Sequence, residues 1–181
     1  MSKNIIEVKN LVKIYQDGSG QFRALDDVSL NIKEGESVAI IGKSGSGKST
    51  LMHLLAALDK PNEGEIFING NNIAKMKKRE LNKLRNQTFG FVFQQFFMNP
   101  KDTVLQNVIL PLKIAKISPR KRKETAMKAL EAVDLVDKAR NKASNLSGGQ
   151  KQRVCVARAV ANSPKIIFAD EPTGNLDTNT G

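Results

Sequence analysis

The chain has 181 residues, 40% of them apolar and 26% charged, with a formal net charge of +11. That balance excludes disordered and fibrous classes and suits one domain with a full hydrophobic core, with or without a small appended lobe. No apolar run approaches the roughly 18 residues of a membrane span, no apolar leader opens the sequence, and the lone Cys155 has no partner for an internal disulfide; the expectation is a soluble, cytoplasmic chain in a reducing compartment.

In chain order, Ile5 to Tyr15 alternates as a strand does, and Ala24 to Ile32 reads as another. Ser37-Val38-Ala39-Ile40-Ile41 is a short continuous apolar run, the pattern of a parallel strand buried on both faces. A glycine-rich loop follows, and Ser49 to Leu58 has helical spacing through Leu51, Leu54, Leu55 and Leu58. Pro61 to Gly64 is turn chemistry before a brief strand from Glu65 to Asn69. Phe89 to Phe93 is a further strand, ending in Gln94-Gln95. From there to about Asn162 the chain reads as mostly helical, with Ser118-Pro119 as an N-cap followed by proline at the first helical position. Ile166 to Ala169 is the last apolar strand and runs into Asp170-Glu171. The order implies an α/β fold, a parallel sheet carrying a helical lobe. The basic runs Lys75–Arg79 and Arg120–Lys123 fall on expected helices with few aromatics between them. A solvated face is the first reading and an anionic membrane surface the second; no nucleic acid is expected.

Three motifs carry chemistry. In Gly42-Lys43-Ser44-Gly45-Ser46-Gly47-Lys48-Ser49-Thr50 the glycines let the backbone curl until successive N–H groups converge on one anion, and the following helix adds its positive end. Lys48 brings a point charge for the β- and γ-phosphates, and the Ser49 hydroxyl can ligate Mg²⁺. Asp170 and Glu171 end a parallel strand, where ligands bind in such sheets. Asp170 can hold Mg²⁺ through water, and Glu171 can act as general base toward an attacking water. Leu146-Ser147-Gly148-Gly149-Gln150 opens a helix. Ser147 and Gln150 have capping-box spacing, so an ordinary helix start explains them, yet the two glycines and the helix dipole also make a second anion site. One nucleotide in one chain hardly needs two such sites.

These segments, with Gln94 and Asn175-Leu176-Asp177, stand in the order of an ATP-binding-cassette (ABC) transporter ATPase, which the chain resembles over essentially its whole length. The resemblance implies a phosphate-loop nucleotide hydrolase core with an N-terminal antiparallel β subdomain, residues 1–94 plus 163–181, and a helical subdomain, residues 95–162, carrying the Ser147 motif. It implies ATP and Mg²⁺ as ligands, with Ser49, Gln94 and Asp170 at the metal and Glu171, Lys48 and Gln94 in catalysis. It casts Tyr15 as the aromatic that stacks on adenine, although a strand-face core residue explains Tyr15 equally, and Asp177 as an acid that crosses to the opposite monomer. Two such domains dimerise head to tail, each phosphate loop facing the other's Ser147-Gly148-Gly149, and drive a separate membrane permease from the inner face of the membrane. The run Glu171 to Asp177, with Asn107 to Leu112 and Ala24 to Leu30, is similar to the branch serving lipoprotein release, macrolide export and antimicrobial-peptide resistance. A nucleotide-dependent regulator of a cell-wall or sensor partner, and a soluble ABC-type ATPase, are the alternatives. The family's site also uses a histidine beyond the crossing acid. Here the only histidine is His53, on the helix after the loop, so the resemblance implies that these residues are a shortened form lacking the last core strand.

Overall fold

The computed structural model describes residues 3–18 and 20–172. The chain divides into two compact units, residues 1–81 and 82–181.

The first unit is built on two long strands, β1 (Asn4–Asp17) and β2 (Gly20–Lys33), paired antiparallel. After β2 come α1 (Lys48–Leu55), β3 (Glu63–Ile68) and the two-residue β4 (Asn71–Asn72). The four strands form one antiparallel sheet in the order β2-β1-β3-β4. Alternation along β1 puts Ile6, Val8 and, past a register shift, Leu11 into the core, where Ile66 and Ile68 of β3 join them. Helix α1 buries Leu51, Met52, Leu54 and Leu55.

The second unit contains most of α2 (Lys78–Thr88), then β5 (Phe89–Val92), α3 (Val104–Ile114), α4 (Pro119–Glu131), α5 (Gly148–Val160) and β6 (Ile166–Ala169). Strands β5 and β6 pair in parallel, Phe89 opposite Ile166 through Val92 opposite Ala169. Phe168 meets Phe89 edge-on at 5.2 Å and stacks on Phe91 at 5.7 Å. The helical core packs Val104, Val108 and Leu112 of α3 with Ala126 and Leu130 of α4 and Val154 and Ala157 of α5. As the sequence predicts, Ser118 caps α4 with Pro119 at its first turn, here without a side-chain hydrogen bond. Gly90 is where α5 closes on β5: a Cβ there would lie 2.5 Å from the carbonyl oxygen of Ala159.

Two expectations differ. The run Ser37 to Ile41 takes no strand pairing among the described residues, and its side chains are exposed, Ile41 to 92%. An apolar strand is buried only between ladder neighbours, and the parallel sheet described here has two strands. Helix α1 also ends at Leu55, short of Leu58, because Ala57 adopts a positive φ of 54° that closes the last turn.

Candidate functional site

The glycine-rich loop joins residue 41 to α1. The N-cap of α1 is Gly47, in the left-handed region at φ 88°, and no side chain caps the helix. A residue with a Cβ cannot take this place: the atom would stand 2.4 Å from the carbonyl oxygen of Ala24 on β2. Across the loop, a Cβ on Gly42 would meet the Ser46 hydroxyl at 2.6 Å. The Lys48 ammonium folds back over the loop and donates to the carbonyls of Gly42, at 2.9 Å, and Lys43, at 2.7 Å. Ser46 N–H donates to the Lys43 carbonyl at 3.2 Å. The result is a tight backbone ring with Ser44 and Gly45 at its rim, a cation across it, and a helix start with no side-chain cap among the described residues. Ser49 and Thr50 lie in the first turn of that helix. Such a ring fits a phosphate group.

Tyr15, near the end of β1, is partly exposed. Its hydroxyl donates to Asp59 at 3.2 Å, and the Lys13 ammonium sits 4.9 Å from the ring centroid while pairing with Asp59 at 2.8 Å. Lys13 also donates to the Lys60 carbonyl. The sequence reading missed Lys13 and Asp59, and only alternation along β1, which sets residues 13 and 15 on one face, pointed to the first. Burial alone would raise the Asp59 pKa, but the hydrogen bond from Lys13, the Lys60 N–H, the Lys13 charge and the Tyr15 hydroxyl together lower it.

In the second unit, parallel pairing of β5 with β6 brings Gln94 and Glu171 together although 77 residues separate them. The Gln94 amide Nε2 donates to Glu171 Oε2 at 2.8 Å. Asp170 continues the ladder, its N–H donating to the Val92 carbonyl at 2.9 Å. Glu171 is exposed, with a positive φ of 45°.

Helix α5 starts with a full capping box. Ser147 Oγ accepts from the Gln150 N–H at 3.3 Å, and the Gln150 side chain accepts from the Ser147 N–H at 3.0 Å. Gly148 and Gly149 form its first two positions, with Ser147 and Gly148 exposed. The ordinary helix start foreseen for this motif is therefore present, and the glycines at the helix tip leave room for an anion's close approach. Asp177, Asn175 and Leu176 lie outside the described residues. His53 is in α1, where its carbonyl accepts from the Leu58 N–H. Among the described residues no group of three or more His, Cys, Asp or Glu could hold a metal ion. The donors foreseen for Mg²⁺ are instead a hydroxyl, an amide and one carboxylate, hard oxygen ligands that suit an ion keeping water and substrate phosphate in its shell.

A glycine-rich loop curled before a helix, a carboxylate-ended parallel strand pair and a helical lobe opened by Ser-Gly-Gly define a phosphate-loop ATPase cassette. The family model described as ABC transporter matches residues 25–174, and the chain belongs to that family. It is 48% identical, over 179 residues, to an ABC transporter ATP-binding protein of Thermotoga maritima, covering 99% of this chain and 76% of the relative. Among solved structures it superposes on the dimeric bacterial ABC transporter cassette MJ0796 with a TM-score of 0.90 at 48% identity, covering 97% of this chain and 78% of that one. A second dimeric MJ0796 structure, a post-hydrolysis state bound to ADP and Pi, matches with a TM-score of 0.89 at 47% identity, covering 97% and 77%. The fold is that of an ABC cassette, and the chain is an ABC ATPase domain. Among the described residues no helix is long and apolar enough to cross a membrane.

Proposed function

We propose that the chain is the motor subunit of an ABC transporter, hydrolysing ATP in a head-to-tail dimer and passing the resulting opening and closing to a separate membrane permease. The observation that carries the enzymatic part is the Gln94–Glu171 hydrogen bond of 2.8 Å. It aims a strand-end carboxylate by an amide from the neighbouring parallel strand, the arrangement expected of a base that must face a water.

In this reading the loop N–H groups from Ser44 to Thr50 and the Lys48 ammonium bind the β- and γ-phosphates, Lys48 exchanging its two loop carbonyls for phosphate oxygens. Ser49, Gln94 and Asp170 would hold Mg²⁺, which supplies charge neutralisation on the phosphates when bound. Glu171 accepts a proton from water as the water oxygen bonds to the γ-phosphorus and the bond to the β,γ-bridging oxygen breaks, giving ADP and inorganic phosphate. Tyr15 stacks on adenine by the ring face opposite Lys13. Ser147, Gly148 and Gly149 serve the γ-phosphate held by the other copy, and Asp177 crosses to that copy. The dimeric state of MJ0796 supports the shared site. Resemblance of the run Glu171 to Asp177 supports the export and lipoprotein-release branch, with the protein acting at the inner face of the membrane.

Glu171→Gln removes the base and keeps the shape. ATP affinity should stay within a few-fold of wild type while turnover falls by about 10²-fold or more. Turnover close to wild type in that variant would sink the assignment.

A further inference from the structure

We infer that Gln152, a residue of α5 outside the motifs that define the site, is a positioning residue for Glu171 and limits the rate of hydrolysis by holding the backbone that carries that carboxylate. The inference rests on the reading of Glu171 as the base.

Gln152 is 1% exposed. Its Nε2 donates to the carbonyl oxygen of Pro172 at 2.6 Å, the residue directly after Glu171. Its Oε1 is buried and has no hydrogen-bond partner among the described residues. That orientation is dictated by Pro172, since turning the amide over would set two oxygens against each other. An apolar side chain of the same length would put no unpaired acceptor at residue 152, but it would leave the Pro172 carbonyl without this donor. What the amide supplies, at the cost of an unpaired oxygen, is a grip on the Pro172 carbonyl.

The gripped segment needs holding. Glu171 has φ 45°, a left-handed conformation that a Cβ disfavours, and a following proline disfavours helical backbone further. Such a residue persists only where its surroundings over-determine it. Here it has an anchor on each side: upstream, the Asp170 N–H on the Val92 carbonyl at 2.9 Å; downstream, Gln152 on Pro172. Between the two, the carboxylate receives Gln94.

The same helix also holds the segment that follows Gln94. Cys155 Sγ donates to the Phe96 carbonyl at 3.1 Å, and the Arg158 guanidinium donates to the carbonyls of Phe96, at 3.0 Å, and Phe97, at 2.8 Å. Residues 152, 155 and 158 thus form one strip, three apart, that fixes both partners of the Gln94–Glu171 pair to the helix beginning at Ser147. A contact made at the tip of α5 has a direct covalent and hydrogen-bonded route to the base.

The test measures steady-state ATP turnover, ATP affinity and thermal midpoint in the full chain for Gln152→Met and Gln152→Glu. Gln152→Met keeps length and loses the donor. We expect kcat to fall at least about tenfold, with KM and ATP affinity within about twofold and a thermal midpoint close to wild type, because removing the unpaired Oε1 offsets the bond lost at Pro172. Gln152→Glu restores a donor only when protonated, and burial raises a carboxyl pKa. Its kcat relative to wild type should therefore rise as pH is lowered from about 8 to about 6. Wild-type kcat in Gln152→Met, a loss confined to KM or tracking a lowered midpoint, or a flat pH ratio in Gln152→Glu overturns the proposal. If Gln152→Met does not fold, the Gln152→Glu profile decides alone. Glu171→Gln separates the two layers. Were it to turn over like wild type, the base assignment fails and takes this proposal with it. If it is inactive while Gln152→Met is unimpaired, only the positioning role fails.

Discussion

Tyr15, Lys13 and Asp59 show how a single side chain near a strand end acquires partners that no motif names. The Lys13 ammonium covers one face of the Tyr15 ring and pairs with Asp59, so the ring is fixed by a charge cluster and keeps its other face. Because the folded Asp59 pKa lies below its ordinary value, the cluster stabilises the fold fully above the usual carboxylate range, and that contribution is lost as pH falls through the lowered folded value. Comparing wild type with Asp59→Asn by denaturant unfolding should give a difference of no more than about 1 kcal/mol at neutral pH, since the pair is partly in water. The difference should shrink at about pH 3. A gap that instead widens with acid would contradict the assignment. Cys155 follows the opposite logic, its thiol pushed up by burial despite the Arg158 charge nearby, so it serves as a donor to Phe96 rather than as a nucleophile. Neither arrangement was legible in the sequence. Both depend on side chains 44 and 59 residues apart in the chain, Tyr15 with Asp59 and Cys155 with Phe96, which only tertiary packing can bring together.

At the scale of elements, local signals were legible where local physics decides. The glycine spacing of residues 42–49 demands a curled loop, and φ 88° at Gly47 with β2 hard against it is that demand met. The Ser147–Gln150 spacing gave the capping box as drawn. The Ser37 to Ile41 run shows the limit: an apolar pentad states that burial is wanted, and whether it is buried depends on neighbours that no local pattern supplies. Gln152 shows another limit, since a polar residue inside a helix reads as solvent-facing until packing buries it. Gly90 went unread for the same reason. Its lack of a side chain lets the Ala159 turn of α5 rest on β5, and α5 in turn carries the strip that holds residues 96, 97 and 172. Gly90→Ala must push backbone from backbone, at a cost of about 1–3 kcal/mol, read as a thermal midpoint several degrees lower. Because the displaced helix carries Gln152, turnover should fall below what the fraction of folded protein explains. A wild-type midpoint would show that the close approach is not needed.

For the whole molecule, two anion-directed helix starts in one chain make sense if one of them serves a second copy. The first has a glycine N-cap, no side-chain cap among the described residues, and a lysine across its loop; the second satisfies its own N-cap internally and offers exposed Ser147 and Gly148. Of the two, the first has the cation and the open helix start that a phosphate held within one chain would need. ATP bound at the first should therefore join two chains through the second, a population shift driven by higher affinity in the closed state. Glu171→Gln, which keeps ATP intact, should shift the full chain to dimer on sedimentation at saturating ATP with Mg²⁺ and leave it monomeric with ADP. Ser147→Arg on that background puts a bulky cation at the tip of α5. It should abolish the ATP-dependent dimer while nucleotide affinity of the monomer stays within a few-fold. If the doubly substituted chain still dimerised with ATP, the association would have to run through another surface, and the second helix start would revert to a cap. If it lost ATP binding as a monomer, Ser147 would belong to its own chain's nucleotide. Only dimer loss with binding retained fits a site divided between copies, and that outcome would make α5 the element through which one copy's nucleotide reaches the base of the other.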